Sequence, residues 1–353
     1  MNRDKLRTVL VGFGKISQKY AQDSVMSARV CYATHAQVLR DHPDFMWEAV
    51  ADSSREALEA ARSQWDIRIV ARSSEEMAKQ YEPEVAVIAT PPDSRLAIVK
   101  QFSKLRAVLV EKPLGRNLSE ARRLLDYCDA HGIKVQVNLL RRANEMFRKL
   151  SDGQLAEMIG QPQAVFGVYG NGLRNNGTHM IDLIRMLFGE INHVRAICGR
   201  QSYPAGPIPD DINVPYSLYL NSGLVVMMQP VRFEYYRENS LDIWGQKARL
   251  CVMQGGLEVY LYPKHPHRAM QSETEINMDK PQKLDWSVKS PFYLMYSNLA
   301  DALSGKAELL SPGKSAYLTE CVVEAVIHSA RSNDTLVKLD LPPACKKSSI
   351  SDS

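Results

Sequence analysis

Short apolar runs alternate with amphipathic stretches through the first 140 residues. Residues 8–11, 47–51, 67–70, 85–89, 107–110 and 133–137 read as strands. Residues 55–64, 74–81, 93–103 and 118–130 show helical spacing, with Ser73 or Ser74 and Asp93 as capping candidates. Near-continuous apolar strands separated by helices predict a parallel sheet covered on both faces. The second half changes character. Residues 164–169, 194–197, 216–220, 224–228, 240–244, 249–253 and 257–260 read as strands, with Asn221-Ser222-Gly223 and Gly255-Gly256 as hairpin turns. Strands joined by tight turns predict an antiparallel sheet. Two helices follow, over 292–304 and 315–332, and the polar stretch 263–291 reads as a loop or sheet edge. The expected division is 1–140 and 141–344, with a polar, disordered tail at 345–353.

A chain of 353 residues fits two domains, and 45% hydrophobic with 24% charged residues is ordinary for a globular protein. The net charge of +4 is spread along the chain, so no nucleic-acid partner is expected. The charged start does not read as a signal peptide, and no apolar run approaches the roughly 20 residues of a membrane span. Six scattered cysteines without a CxxC pair read as free thiols, which gives a cytoplasmic expectation. His265 and His267 flank a proline without further converging ligands, so no metal is expected. Met227-Met228, Met253 and Tyr235-Tyr236 read as core and sheet, with a sugar-pocket wall as the alternative for the tyrosines.

The chemistry concentrates in three places. Gly12-Phe13-Gly14-Lys15-Ile16 follows the first strand. Gly12 permits a tight turn, and Gly14 lets a pyrophosphate approach the backbone at a helix start. Ser17 stands where the fingerprint has its third glycine. Asp52 ends the second strand, as the ribose-binding carboxylate should. It lies 40 positions after Gly12 (52 − 12) rather than about 20, and residues 19–34 read as the insertion responsible. A carboxylate there favours NAD over NADP, although Arg55 leaves NADP open. Next, Glu111-Lys112-Pro113 follows the fifth strand, and Thr90-Pro91 the fourth. Open parallel sheets bind ligands at these carboxyl ends. A lysine there is placed to exchange a proton with a hydroxyl whose hydride is leaving. Finally, Asn175-Asn176-Gly177-Thr178-His179 opens an apolar helix, with Asp182 one turn on. His179 reads as an acid–base or substrate group, or as a hydrogen-bonded core residue; Asp182 as its orienter, or as paired elsewhere. Arg141 reads as a partner for a substrate anion, or as a solvated junction residue.

These motifs together resemble the glucose–fructose oxidoreductase / inositol dehydrogenase (Gfo/Idh/MocA) family. Val11-Gly12-Phe13-Gly14-Lys15-Ile16, Ala89-Thr90-Pro91-Pro92, Val110-Glu111-Lys112-Pro113-Leu114 and Gly177-Thr178-His179-Met180-Ile181-Asp182-Leu183 carry the likeness. The resemblance implies α/β architecture: an N-terminal Rossmann doubly wound parallel sheet and a C-terminal α/β domain with an open, mostly antiparallel sheet. It implies hydride transfer between NAD(P) and a sugar or polyol carbon, and homodimers or homotetramers formed through the second sheet. Gly12, Gly14, Lys15, Ile16, Asp52, Thr90, Pro91, Glu111 and Lys112 would hold the cofactor. Lys112 and His179 would be catalytic and would converge on the nicotinamide; Asn175, Arg141 and Asp182 would bind substrate. One departure stands out. The family has Asp four residues before this histidine, and here that residue is Asn175. The Asn-Asn-Gly-Thr-His form resembles members associated with nucleotide-sugar and surface-glycan biosynthesis. A redox-assisted glycosidase or lyase, and a non-catalytic cofactor sensor, stay open beside the dehydrogenase reading.

Overall fold

In the computed structural model, which describes residues 5–197, 203–284 and 290–339, the first six apolar runs form one parallel sheet. The strands are β1 (Leu6–Val11), β2 (Phe45–Ala51), β3 (Ile69–Ala71), β4 (Val85–Ile88), β5 (Ala107–Val110) and β6 (Lys134–Val137). Their order is β3-β2-β1-β4-β5-β6. Val11 lies opposite both Ala51 and Ile88, Ala51 opposite Ala71, Ile88 opposite Val110, and Val110 opposite Val137, so all six strands end level. The order reverses between β1 and β4, where open sheets of this kind bind ligands.

Both faces of the sheet are buried, which is why its strands are apolar throughout. Val9, Ala86, Ile88, Val108 and Val110 point into one core layer, and Leu10, Val50, Val87 and Leu109 into the other. Helix Leu118–Ala130 covers the first layer through Leu124 and Leu125, and the Asn117 side chain caps it by accepting from the Glu120 N–H. The helix expected at 93–103 spans Arg95–Gln101 instead. Pro92–Ser94 forms a separate 3-10 turn, so Asp93 does not act as its cap.

The chain forms two compact units: Met1–Arg148 with Val288–Tyr317, and Lys149–Ser287 with Leu318–Ser353. This division differs from a single cut at 140/141. Helix Pro291–Leu303 supplies Phe292, Tyr296 and Leu299 to the second core layer of the parallel sheet. Their i, i+4, i+7 spacing makes one apolar stripe, and that stripe is buried in the first unit.

The second unit contains β7 (Pro162–Tyr169), β8 (Ile191–Ala196), β9 (Tyr203–Pro204), β10 (Ile212–Asn213), β11 (Tyr216–Leu220), β12 (Val225–Pro230), β13 (Ser240–Gly245), β14 (Ala248–Met253), β15 (Glu258–Pro266), β16 (Thr274–Ile276), β17 (Gln282–Lys283) and β18 (Val337–Lys338). Its sheet runs β16-β15-β14-β13-β7-β12-β11-β8-β18, with β17 on β15 and a separate β9–β10 pair. Every described pairing is antiparallel except β7 with β12. The stretch expected as a loop or edge therefore becomes the sheet edge in β15, β16 and β17; residues 285–289 and the tail at 345–353 lie outside the described residues. Tyr235 and Tyr236 are not core: they are 74% and 63% exposed, on the loop after β12. Met228 is buried and its neighbour Met227 is 44% exposed, as strand alternation requires.

Candidate functional site

β1 ends at Val11, and Gly12 turns the chain with φ +89°. A Cβ on Gly12 would sit 2.9 Å from the Ala89 carbonyl carbon and the Thr90 nitrogen, so the turn needs glycine for shape and for space. A Cβ on Gly14 would meet nothing within 4 Å. Gly14 and Lys15 are exposed, and Ile16 is half-buried. The buried Ser17 hydroxyl donates to the Gly12 carbonyl at 2.6 Å. The residue replacing the third glycine thus ties the turn together.

Asp52 follows the end of β2. Its Oδ2 accepts from the Phe13 N–H at 2.5 Å, and its Oδ1 from the Ser54 N–H at 2.8 Å. The carboxylate is anchored to the glycine turn itself. An open backbone at Gly14 and a fixed, half-exposed acceptor beside it fit a dinucleotide's pyrophosphate and ribose.

The insertion has a specific form. The Ala36 N–H donates to the Ser17 carbonyl at 2.9 Å, and the His35 N–H to the Ile16 carbonyl at 3.3 Å. Both bonds skip 19 positions (36 − 17 and 35 − 16), where a helix skips four, so 15 residues are extra (19 − 4). Helix His35–Asp41, capped by the Thr34 side chain, therefore resumes the helix the glycine turn begins. Removing 15 from the Gly12-to-Asp52 interval leaves 25 (40 − 15), close to the usual spacing of about 20.

Lys112 follows β5, preceded by Glu111 and joined to Pro113 by a cis peptide bond. Glu111 makes the densest contacts of the group. Its Oε1 accepts from His35 Nε2 at 3.1 Å and from the Asn138 side-chain amide. Burial pushes the Glu111 carboxyl up, but the His35 hydrogen bond, Asn138 and the Lys112 charge outweigh it and hold it below the usual value. The buried Arg95 guanidinium donates to the Pro113 carbonyl and, at 3.3 Å, to the Thr90 carbonyl. It ties the segment after β4 to the segment after β5. The Thr90 hydroxyl bonds that of Ser94 at 2.8 Å, and Pro91 is exposed. Arg141 lies half-buried on the 3-10 turn Leu140–Ala143, just after β6. The first unit thus gathers Gly12, Gly14, Asp52, Thr90, Glu111 and Lys112 along one edge of its sheet.

Asn175, His179 and Asp182 belong to the second unit. After β7, Gly172 turns with φ +92°, and the N–H groups of Asn176 and Gly177 both bond the Gly172 carbonyl, a π-type turn. Helix Thr178–Phe188 continues from it. His179 is half-buried between the buried Thr178 and Met180. Beneath the turn lies Asp211, 1% exposed. Its carboxylate accepts from the N–H groups of Arg174 (2.9 Å), Asn175 (3.0 Å) and Ile212 (2.9 Å). A Cβ on Gly172 would fall 2.1 Å from Asp211 Oδ2, so this carboxylate requires the glycine. The Asn175 amide donates to the Asn171 carbonyl at 3.0 Å, and that of Asn176 to the Asn239 side chain at 2.9 Å. Arg174 forks onto Glu324. Asp182 is 1% exposed, accepts from the Thr319 hydroxyl at 3.0 Å and lies 4.0 Å from Arg185.

Three residues of this machinery carry no motif in the sequence: His35, Arg95 and Asp211. A histidine on the apolar face of the resumed helix was the one available sign of the first.

Residues 6–139 match the oxidoreductase family's NAD-binding Rossmann fold, and residues 169–339 its C-terminal alpha/beta domain. The chain belongs to the Gfo/Idh/MocA oxidoreductase family. Within it, the inositol 2-dehydrogenase of Acidothermus cellulolyticus is 25% identical over 242 residues, 62% of this chain and 67% of that enzyme. The trans-1,2-dihydrobenzene-1,2-diol dehydrogenase of Macaca fuscata fuscata is 27% identical over 184 residues, 47% of this chain and 55% of the relative, so the match spans about half of that enzyme. The fold is shared with the WlbA dehydrogenase of Bordetella pertussis, solved in complex with NADH and UDP-GlcNAcA. The TM-score is 0.72 at 20% identity, covering 96% of this chain and 100% of that one. Among the described residues, no helix is long and apolar enough to cross a membrane, and no cluster of His, Cys, Asp and Glu has the makings of a metal site.

Proposed function

We propose that this Gfo/Idh/MocA member is an NAD-dependent dehydrogenase or reductase acting on a secondary alcohol or ketone of a sugar, with nucleotide-linked sugars as the favoured class. The observation that carries the reading is the braced strand end at Glu111-Lys112-Pro113, held by His35, Asn138 and Arg95. A bound nicotinamide supplies or takes up the hydride. Lys112 moves the proton at the substrate oxygen, accepting it in oxidation and donating it in reduction. His179 is the second acid–base group, and the turn on Asp211 orients it. Gly12, Gly14, Lys15, Ile16, Thr90 and Pro91 form the cofactor cradle with Asp52, whose negative charge favours NAD by repelling a 2′-phosphate. Arg141 pairs with a substrate anion and Asn175 shapes the sugar site, whereas Asp182, expected to bind substrate, is buried and bonded to Thr319 beneath helix Thr178–Phe188. The protein works in the cytoplasm as a homodimer or homotetramer. Phe166 and Met227, neighbours across β7 and β12, are 48% and 44% exposed and give the second sheet an apolar face for a second copy.

The deciding variant is Lys112→Ala, assayed with NAD against free polyols and nucleotide sugars. It should keep its affinity for NAD and lose at least about 100-fold in rate. Normal turnover would end the assignment. Bond cleavage without net NADH would move the protein to the redox-assisted glycosidase or lyase class. Cofactor binding without turnover on any substrate would make it a sensor.

A further inference from the structure

His35 has no part in the chemistry derived so far, yet both its ring nitrogens are engaged in a fully buried position. Nδ1 lies 2.7 Å from the Tyr296 hydroxyl, and Nε2 lies 3.1 Å from Glu111 Oε1. The ring is 0% exposed and meets Phe292 edge-on at 4.9 Å. Glu111, kept ionised, can only accept hydrogen bonds, so His35 Nε2 and the Asn138 amide donate to it. Nδ1 pairs with the Tyr296 hydroxyl on the far side of the ring. The chain Tyr296–His35–Glu111 ends on the residue that precedes Lys112.

We infer that His35 is a positioning residue for the Glu111–Lys112 pair, fixing the Glu111 carboxylate so that the lysine amine meets a constant counter-charge. The inference rests on the hydride-transfer reading for what Lys112 does, but the brace itself does not. Three features support it. The two partners approach Glu111 from different elements, the resumed helix and the end of β6, so the carboxylate has little freedom. Tyr296, fully buried, holds the far side of the ring, and burial followed by the Glu111 charge pushes its phenol well above the usual value, so it stays a donor. The titratable or charged groups facing Glu111 are His35, Lys112 and Tyr296. His35 and Lys112 favour its anion, and Tyr296, a neutral phenol, acts on it only through the His35 ring. The position of His35 also explains why the helix register is restored after the insertion: a slip of one residue there would turn the ring away from Glu111.

The test is carbon-13 NMR of the full-length protein with carboxyl-labelled glutamate, the Glu111 signal being identified by its loss in Glu111→Gln. In the native protein it should titrate below the ordinary carboxylate value. His35→Phe should raise its midpoint by about one pH unit or more, since the anion loses a donor. Tyr296→Phe should shift it the same way by less, and His35→Gln, which keeps an N–H donor, should restore part of the effect. The acid limb of the rate profile should move up in parallel. A Glu111 signal that titrates alike in the native and variant proteins overturns the inference. If His35→Phe does not fold, Tyr296→Phe and His35→Gln decide alone. Normal turnover in Lys112→Ala alongside a shifted Glu111 would sink the proton-transfer role of Lys112 and leave the brace standing.

Discussion

The Ala36 N–H bonds the Ser17 carbonyl at 2.9 Å across an excursion of the chain, so one helix is built from two separated segments. Residues 19–33 number 15, the excess that this register implies. Deleting them should bring Thr34 next to Gln18 and let the helix run unbroken. Tyr32, whose ring lies 5.1 Å from that of Tyr293, is lost with them. We expect the shortened chain to bind NAD within about tenfold of the native value. Its melting temperature should fall by no more than about 3 °C, the equivalent of roughly 2 kcal/mol in a protein of this size. Calorimetry and a thermal melt read both. Loss of NAD binding would show that the insertion belongs to the cofactor site.

Gly12 and Gly14 should separate folding from binding. Gly12→Ala places a Cβ 2.9 Å from backbone atoms at a positive φ, so it should destabilise the protein by about 1–3 kcal/mol or more. Gly14→Ala meets nothing within 4 Å and should leave the melting temperature unchanged. Its methyl nevertheless occupies the space assigned to the pyrophosphate, so NAD affinity should fall. Equal NAD affinity in Gly14→Ala and native protein would place the cofactor elsewhere.

Asp52→Ala should weaken NAD binding about ten- to hundredfold, the worth of hydrogen bonds to a charged acceptor. NADP binding should suffer less, because the repelling charge is gone. Titration of both cofactors, followed by fluorescence, gives the ratio.

Glu111 links stability to pH. Its carboxyl is held below the ordinary value in the folded protein. A depressed folded value means that the stabilisation is present above the unfolded value, about pH 4.3, and is lost as pH falls through the folded one. The stability difference between native protein and Glu111→Gln should therefore be largest near neutrality and shrink on acidification. Urea melts at pH 7 and pH 4 measure it.

Asp211→Ala leaves three backbone N–H groups without their acceptor. Each buried donor without a partner costs about 1–3 kcal/mol. The variant should melt lower and turn over more slowly, while NAD affinity, a property of the first unit, should be unchanged. Asp211→Asn, which keeps one acceptor oxygen, should fall between.

The parallel sheet was legible because its strands are buried on both faces, so runs such as Ala107–Val110 are apolar without interruption. Helix Leu118–Ala130 was legible to the residue, since its leucines keep the helical period. The glycine turn and Glu111-Lys112-Pro113 were legible because their chemistry is local. Tyr235 and Tyr236 misled, because aromatic residues between strands look like core and only the packed structure shows them at the surface.

Sequence alone therefore determined the alternation of elements, the nucleotide turn and the lysine at a strand end. Those follow from periodicity and short-range geometry, in which every residue needed lies within one or two turns of its neighbour. Tertiary structure alone decided that Ser17 continues into Ala36, that helix Pro291–Leu303 belongs to the first core, and that Glu111 answers to His35 and Asn138. A half-buried carboxylate takes whichever donors folding brings within about 3 Å, and the partners of Glu111 lie 76 and 27 positions away along the chain. No local pattern encodes that choice.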